Sequence, residues 1–175
     1  DFVRGYALQT VAPLPIAMAH LIAEEEGIYG EALLERMQDY NHYAAIGVLG
    51  EILPDERTYV SLHPTERDGF GLPVAVFSHS LCDNDRANIA YAANVMQEIW
   101  ENAGAQDTLR IDRYAHLVGG CRMGFSPEDS VVDANHRVWG MDNLFVCDGS
   151  VLPTQGSANP ALVIMALADR LAGLL

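Results

Sequence analysis

Three stretches of this sequence hold side chains whose type and spacing could do chemistry. His116 heads a glycine-rich run, His116-Leu117-Val118-Gly119-Gly120-Cys121-Arg122-Met123-Gly124. A neutral histidine, with an ordinary pKa of about 6.5, suits proton abstraction near neutral pH. Further on, the mostly apolar residues 143–147 end in Asp148-Gly149-Ser150, and ligands of α/β sheets characteristically bind at such strand ends. Asn159-Pro160 then opens an apolar stretch to Ala168. It reads as a helix with Asn159 at the cap and Pro160 at the first helical position. The first N–H groups of a helix have no intrahelical partners and carry partial positive charge. Pro160 has no N–H, so Ala161 and Leu162 supply the donors, a place suited to developing negative charge. The carboxamide of Asn159 points toward the same space.

Each residue taken alone has a plainer reading. His116 would be a structural or surface histidine, Asn159 a helix cap, and Asp148 a turn residue at a strand end. Ser150 and Thr154 read as structural. His20, His42, His63, His79 and His136 match no motif, and His136 beside Arg137 reads as a turn residue. Gly119 to Gly124 has the outer glycine spacing of a phosphate-binding P-loop, but Phe125 stands where Lys is required. Gly-x-Ser-x-Gly and His-Glu-x-x-His do not occur.

The elements that must position these residues follow from patterning. Residues 4–10, 43–49, 57–63 and 74–80 are predicted strands, rich in β-branched and aromatic residues. The short connections between the later ones favour antiparallel pairing. A helix is expected over residues 30–40. A second, over residues 84–103, should bury Ile89, Ala92, Ala93, Met96, Ile99 and Trp100 on one face, with Asp83 as its cap and Gly104 as its stop. Residues 131–133 and 137–139 could form a small hairpin. Residues 143–147 read as a strand buried on both faces, with Cys147 as a small core residue. The helix after Pro160 is apolar nearly all round, which predicts burial inside a larger body.

Joined in order, these stretches carry a resemblance. The run from His116 through Gly124, then Ser130-Val131-Val132-Asp133, then Asn143 to Ser150, Pro153-Thr154 and Asn159-Pro160 is similar to the C-terminal signature of glucose–methanol–choline (GMC) flavoenzymes. The match covers residues 114–175, about a third of the chain. Its Gly-Gly-Cys-Arg-Met-Gly and Asn-Pro variant is most similar to bacterial sugar or polyol dehydrogenases of that family. The resemblance implies an α+β chain, in which residues 1–113 form part of a substrate-binding domain with an antiparallel sheet and helices. Residues 114–175 would add the last strand and helix of an FAD-binding α/β domain, with the active-site loops. It implies FAD as cofactor and a small-molecule alcohol, sugar or polyol as substrate. His116 would accept the alcohol proton, and Asn159 would take the second position of the active pair. Asp148 and Gly149 would contact the ribityl–pyrophosphate region of FAD. The helix start, Asn159, Pro160, Ala161 and Leu162, would face the pyrimidine end of its ring.

Two other readings compete. Ser150, His116 and an Asp would make a serine hydrolase, although the elbow glycines are absent and Asn159-Pro160 would go unexplained. A non-catalytic binding module on a flavoenzyme scaffold is the other.

Composition narrows the partners. The formal charge of −14 opposes nucleic acid and anionic membrane surfaces, since no basic stripe can neutralise phosphates. No run of eighteen apolar residues occurs, so no membrane span is expected in this chain. Cys82, Cys121 and Cys147 show no Cys-x-x-Cys spacing, which argues against a zinc site and is compatible with the cytoplasm. No Gly-x-Gly-x-x-Gly turn lies between Asp1 and Leu175. The chain is therefore expected to be the C-terminal piece of a longer enzyme, needing an N-terminal remainder to hold FAD tightly.

Overall fold

The computed structural model describes residues 1–112 and 114–175. Its elements run β1 (Tyr6–Val11), α1 (Pro15–Glu26), α2 (Glu31–Met37), a 3-10 turn (Tyr40–His42), β2 (Ala45–Gly50), β3 (Tyr59–Arg67), β4 (Pro73–Ser78), α3 (Asp83–Asn102), a second 3-10 turn (Gly149–Val151) and α4 (Ala161–Ala172). The fold is α+β, with two small antiparallel sheets.

β1 and β2 pair from Tyr6 opposite Gly50 to Val11 opposite Ala45. β3 and β4 form a hairpin whose register slips between Leu62 and Arg67. The cause is Pro64, which cannot donate to the ladder. His63 Nδ1 takes up the displaced Glu66 N–H at 2.8 Å. At the hairpin tip, the Asp68 carboxylate accepts the N–H groups of Phe70 and Leu72, and Gly71 supplies the left-handed residue.

All four predicted strands are present; among the helices, α1 is one the sequence did not predict, α2 ends at Met37 short of the expected residue 40, and α3 departs in detail. α1 carries no polar cap, with Leu14 at the N-cap position, and starts instead on Pro15 at the first turn. Gly27 closes it in the left-handed conformation. α3 begins one residue early, with Cys82 at the N-cap position and Asp83 inside the first turn, so Asp83 is no cap. Its buried face is also more polar than the pattern implied. Asp85, Asn88 and Ala92 are buried, while Ile99 is exposed. The polar pair is there because it meets backbone. Asp85 accepts the Leu53 N–H at 3.1 Å, and Asn88 donates to the Gly5 carbonyl at 3.1 Å. Asn84 likewise pairs with both the N–H and the carbonyl of Val3. α3 thus lies against the β1–β2 sheet and pins the segments that follow β2 and precede β1.

No helix among the described residues is long and apolar enough to cross a membrane.

Candidate functional site

The glycine-rich run containing His116 makes a strap laid along residues 148–153. Cys121 N–H donates to Ser150 O at 3.0 Å, and Met123 N–H to Val151 O at 2.9 Å. Gly119, at φ 88°, turns so close to this segment that a Cβ there would stand 3.3 Å from the Leu152 carbonyl oxygen. The strap continues into a small β-like body through Gly124 N–H to Val132 O and Val131 N–H to Arg122 O. Val132 and Val151 are fully buried at its centre. Val132 bridges Val138 antiparallel, which is the small hairpin expected from the sequence.

His116 stands at the head of the strap, exposed to solvent, at φ 58°. A non-glycine residue in the left-handed region stores strain that surrounding structure must hold. Two residues earlier, the Tyr114 ring packs on His79 at the end of β4, with centroids 5.0 Å apart. Val118 reaches across to Gly149. A Cβ built on that glycine would lie 3.1 Å from Ile164 Cδ1 of α4 and 3.7 Å from Val118 Cγ1. The His116 loop, the Asp148–Gly149 turn and the first turns of α4 are therefore packed together through one glycine.

Asp148 caps the short 3-10 turn, accepting the Ser150 N–H at 2.8 Å. Hydrogen bonding from Ser150, hydroxyl first and backbone N–H second, holds the Asp148 carboxyl below its ordinary pKa. The Ser150 hydroxyl forms no hydrogen bond to a histidine among the described residues, so no serine–histidine pair is assembled.

The segment before α4 differs from the sequence expectation. Pro160, with φ −82° and ψ −7°, occupies the N-cap position itself, and no side chain caps the helix. Asn159 is therefore not the cap. The Asn-Pro pair slides out by one residue because Pro160 does not enter the regular helix. Ile164 N–H is the first to bond back, to Pro160 O at 3.0 Å. The N–H groups of Ala161, Leu162 and Val163 find no partner among the described residues, nor does the exposed Asn159 carboxamide.

Two more expectations are corrected. Residues 143–147 are not a strand buried on both faces: only Phe145 bridges, to Arg137, while Leu144 is 46% exposed and Cys147 is exposed. With Arg137 as its one ladder partner among the described residues, the run has no second strand beside it there. α4 buries Leu171 but leaves Leu162, Val163 and Met165 open, so within this chain it is not the enclosed helix its composition suggested. It is held by Ile164 near Gly149 and by Arg170, which donates to Ala134 O and to Asn135 Oδ1.

Three residues outside the candidate catalytic and cofactor-binding set shape the site. Thr154 donates to Ile52 O at 2.6 Å, and Gln155 bridges Ile52 antiparallel. Gln155 also donates to the carbonyls of Gly156 and Ala158, immediately before Asn159. His136, which reads as a plain turn residue, is fully buried with Nδ1 against Val146 O. A buried role of this kind leaves no periodic trace, because it depends on carbonyls brought in by folding.

The structure offers two features that fit a flavin ring edge rich in acceptors: the uncapped N–H groups at the start of α4 and the unengaged Asn159 carboxamide beside them. No group of three or more His, Cys, Asp or Glu among the described residues could hold a metal ion.

Comparison with known proteins agrees with this architecture. A family model described as GMC oxidoreductase matches residues 54–168. The 2-methyl-1,2-propanediol dehydrogenase of Mycolicibacterium austroafricanum is 38% identical over 76% of this chain and 25% of its own length. The fructose dehydrogenase large subunit of Gluconobacter japonicus is 27% identical over 98% of this chain and 33% of its own. Among solved structures, pyridoxine 4-oxidase from Mesorbium loti superposes with a TM-score of 0.56 at 24% identity, over 75% of this chain and 29% of that one. The chain thus spans about a quarter to a third of the length of the relatives it matches.

Proposed function

The chain belongs to the GMC oxidoreductase family, and from that premise we propose that it supplies the proton acceptor and the substrate hydrogen-bond donor of an enzyme oxidising the CH–OH group of a sugar or polyol. Relatives named for a diol and for fructose support that substrate class. In this reading residues 1–113 are part of the substrate-binding domain, and residues 114–175 belong to the FAD-binding domain with its active-site loops.

FAD, when bound, supplies a hydride acceptor whose N1–C2=O edge gains negative charge on reduction. The remaining parts are side chains and amides of this chain. A hydroxyl proton must leave as the carbon gives up hydride, and His116 takes it at a ring nitrogen. Asn159 donates a hydrogen bond to the substrate oxygen without competing for the proton, since a carboxamide nitrogen is a donor only. The N–H groups of Ala161 and Leu162 offer fixed donors to negative charge at the helix start, where the dipole adds to them. Asn159 and Pro160 shape that edge, and Asp148 and Gly149 lie toward the ribityl–pyrophosphate tether.

One observation carries the reading: the Asn159 carboxamide is released from capping duty at an uncapped helix start, in the same packed unit as the His116 loop. The test is His116→Ala in the full-length, FAD-loaded protein, mixed anaerobically with a panel of sugars and polyols. The variant should keep its flavin and lose roughly 10²–10⁴-fold in flavin-reduction rate. Reduction at the parental rate would remove His116 from the mechanism.

A further inference from the structure

We infer that Gln155 is a positioning residue for Asn159, fixing the turn from which that carboxamide is presented; the inference rests on the role of Asn159 proposed above. Gln155 is only 9% exposed. Its Nε2 donates to Gly156 O and to Ala158 O, both at 3.0 Å. Two carbonyls facing one amide nitrogen decide which way the group is turned, because the reverse orientation would set Oε1 against two acceptors.

The turn is held from both sides. Outside, the Gln155 backbone bridges Ile52, and Thr154 Oγ1 is bonded to the Ile52 carbonyl. Inside, the Gln155 amide gathers the two carbonyls that lead into Asn159. Asn159 itself makes no capping bond. Among the described residues, the side-chain bonds to the three residues directly preceding it are those from Gln155.

The arrangement also carries a cost that a space-filling role would avoid. Gln155 Oε1 is buried and has no hydrogen-bond partner among the described residues. An apolar side chain of similar length would fill the space without an orphaned acceptor. What the amide adds is the pair of donors, and their effect is to fix the carbonyls of residues 156 and 158. Gln155 touches no reacting atom and acts through Asn159.

The experiment uses the full-length, FAD-loaded protein with Gln155→Leu, Asn159→Ala and the double variant. Anaerobic flavin reduction by a polyol that the parent oxidises gives the rate of the reduction step and the substrate dissociation constant separately. Misplacing a reacting group by about 1 Å costs up to roughly 10²-fold. Gln155→Leu should therefore slow reduction roughly 10- to 100-fold with little change in substrate dissociation. On the Asn159→Ala background the Gln155 substitution should add almost nothing to the rate defect. Effects that multiply in the double variant would overturn the inference, as would a parental rate for Gln155→Leu beside a slow Asn159→Ala. A parental rate for Asn159→Ala would instead sink the proposed role of Asn159, and the inference with it. Should Gln155→Leu not fold, Gln155→Met is read by the same criteria.

Discussion

His136 donates from Nδ1 to the carbonyl oxygen of Val146 at 2.9 Å, while Val146 N–H donates back to the carbonyl of His136 at 3.0 Å. A carbonyl only accepts, so the proton sits on Nδ1. The residue is fully buried and at φ 68°. It clamps the 133–140 turn to the segment that delivers Asp148. His136→Leu removes the donor, leaves the Val146 carbonyl unsatisfied, and keeps a strained backbone. A loss of about 1–3 kcal/mol in unfolding free energy is expected. Urea denaturation measures it, and an unchanged midpoint would show that the clamp contributes nothing.

His116 separates strain from chemistry. Its φ of 58° suits glycine and disfavours any residue with a Cβ by about 1–2 kcal/mol. His116→Gly should therefore be more stable than His116→Ala by about 1 kcal/mol. Both should be equally slow in flavin reduction. Comparing their melting temperatures checks the backbone claim independently of the catalytic one; equal melting would contradict it.

Asp148 gives the stability curve part of its acid limb. Its folded pKa lies below the ordinary value of 3.8. The stabilisation it brings is therefore complete above that value and is lost as pH falls through the depressed folded pKa. Asp148→Asn keeps an acceptor for the Ser150 N–H but has no proton to gain. Melting temperature recorded from about pH 6 to about pH 2 should fall less steeply in the variant. Parallel curves would mean that Asp148 titrates as it does in the unfolded chain.

Gly124 leaves no room for a methyl group. A Cβ there would stand 2.6 Å from Ser130 Cβ and 2.8 Å from its Oγ. Ser130 cannot swing aside freely, since its hydroxyl accepts from Trp139 Nε1 at 2.8 Å and donates to Ser126 O at 2.5 Å. Gly124→Ala should cost about 1–3 kcal/mol and shift the Trp139 emission. Adding Ser130→Gly should recover part of the lost stability. No recovery would place the clash elsewhere.

How much of this was legible beforehand depends on what kind of signal each residue leaves. The four strands announced themselves through β-branched runs such as Val74-Ala75-Val76-Phe77, because pairing needs such side chains at consecutive positions. α1 left no such sign: Leu14 occupies its cap position, and Glu24 to Glu26 put negative charge at the end the helix dipole disfavours. On α3 the apolar spacing pointed to the right helix and to buried Ala92, but missed the polar residues Asp85 and Asn88 buried with it. Asp85 and Asn88 are buried against backbone partners 32 and 83 residues away in sequence, Leu53 and Gly5. The order of His116, Asp148 and Asn159 along the chain marked the candidate site. Its fine structure was hidden: whether Asn159 or Pro160 occupies the N-cap position of α4 turns on two dihedral angles, and Gln155 gains its role only once Ile52 has arrived.

That arrival sets a timetable. Thr154 and Ile52 are 102 residues apart in sequence, and bringing chain ends together over such a span costs roughly 4 kcal/mol in loop-closure entropy. The β3–β4 hairpin, closed by the short tip around Asp68, meets only a fraction of that and can form within microseconds. The turn leading into Asn159 is therefore expected to acquire its shape after that hairpin during refolding. A denatured chain diluted back into buffer should show the β3–β4 hairpin before the Ile52–Thr154 contact that shapes the approach to Asn159.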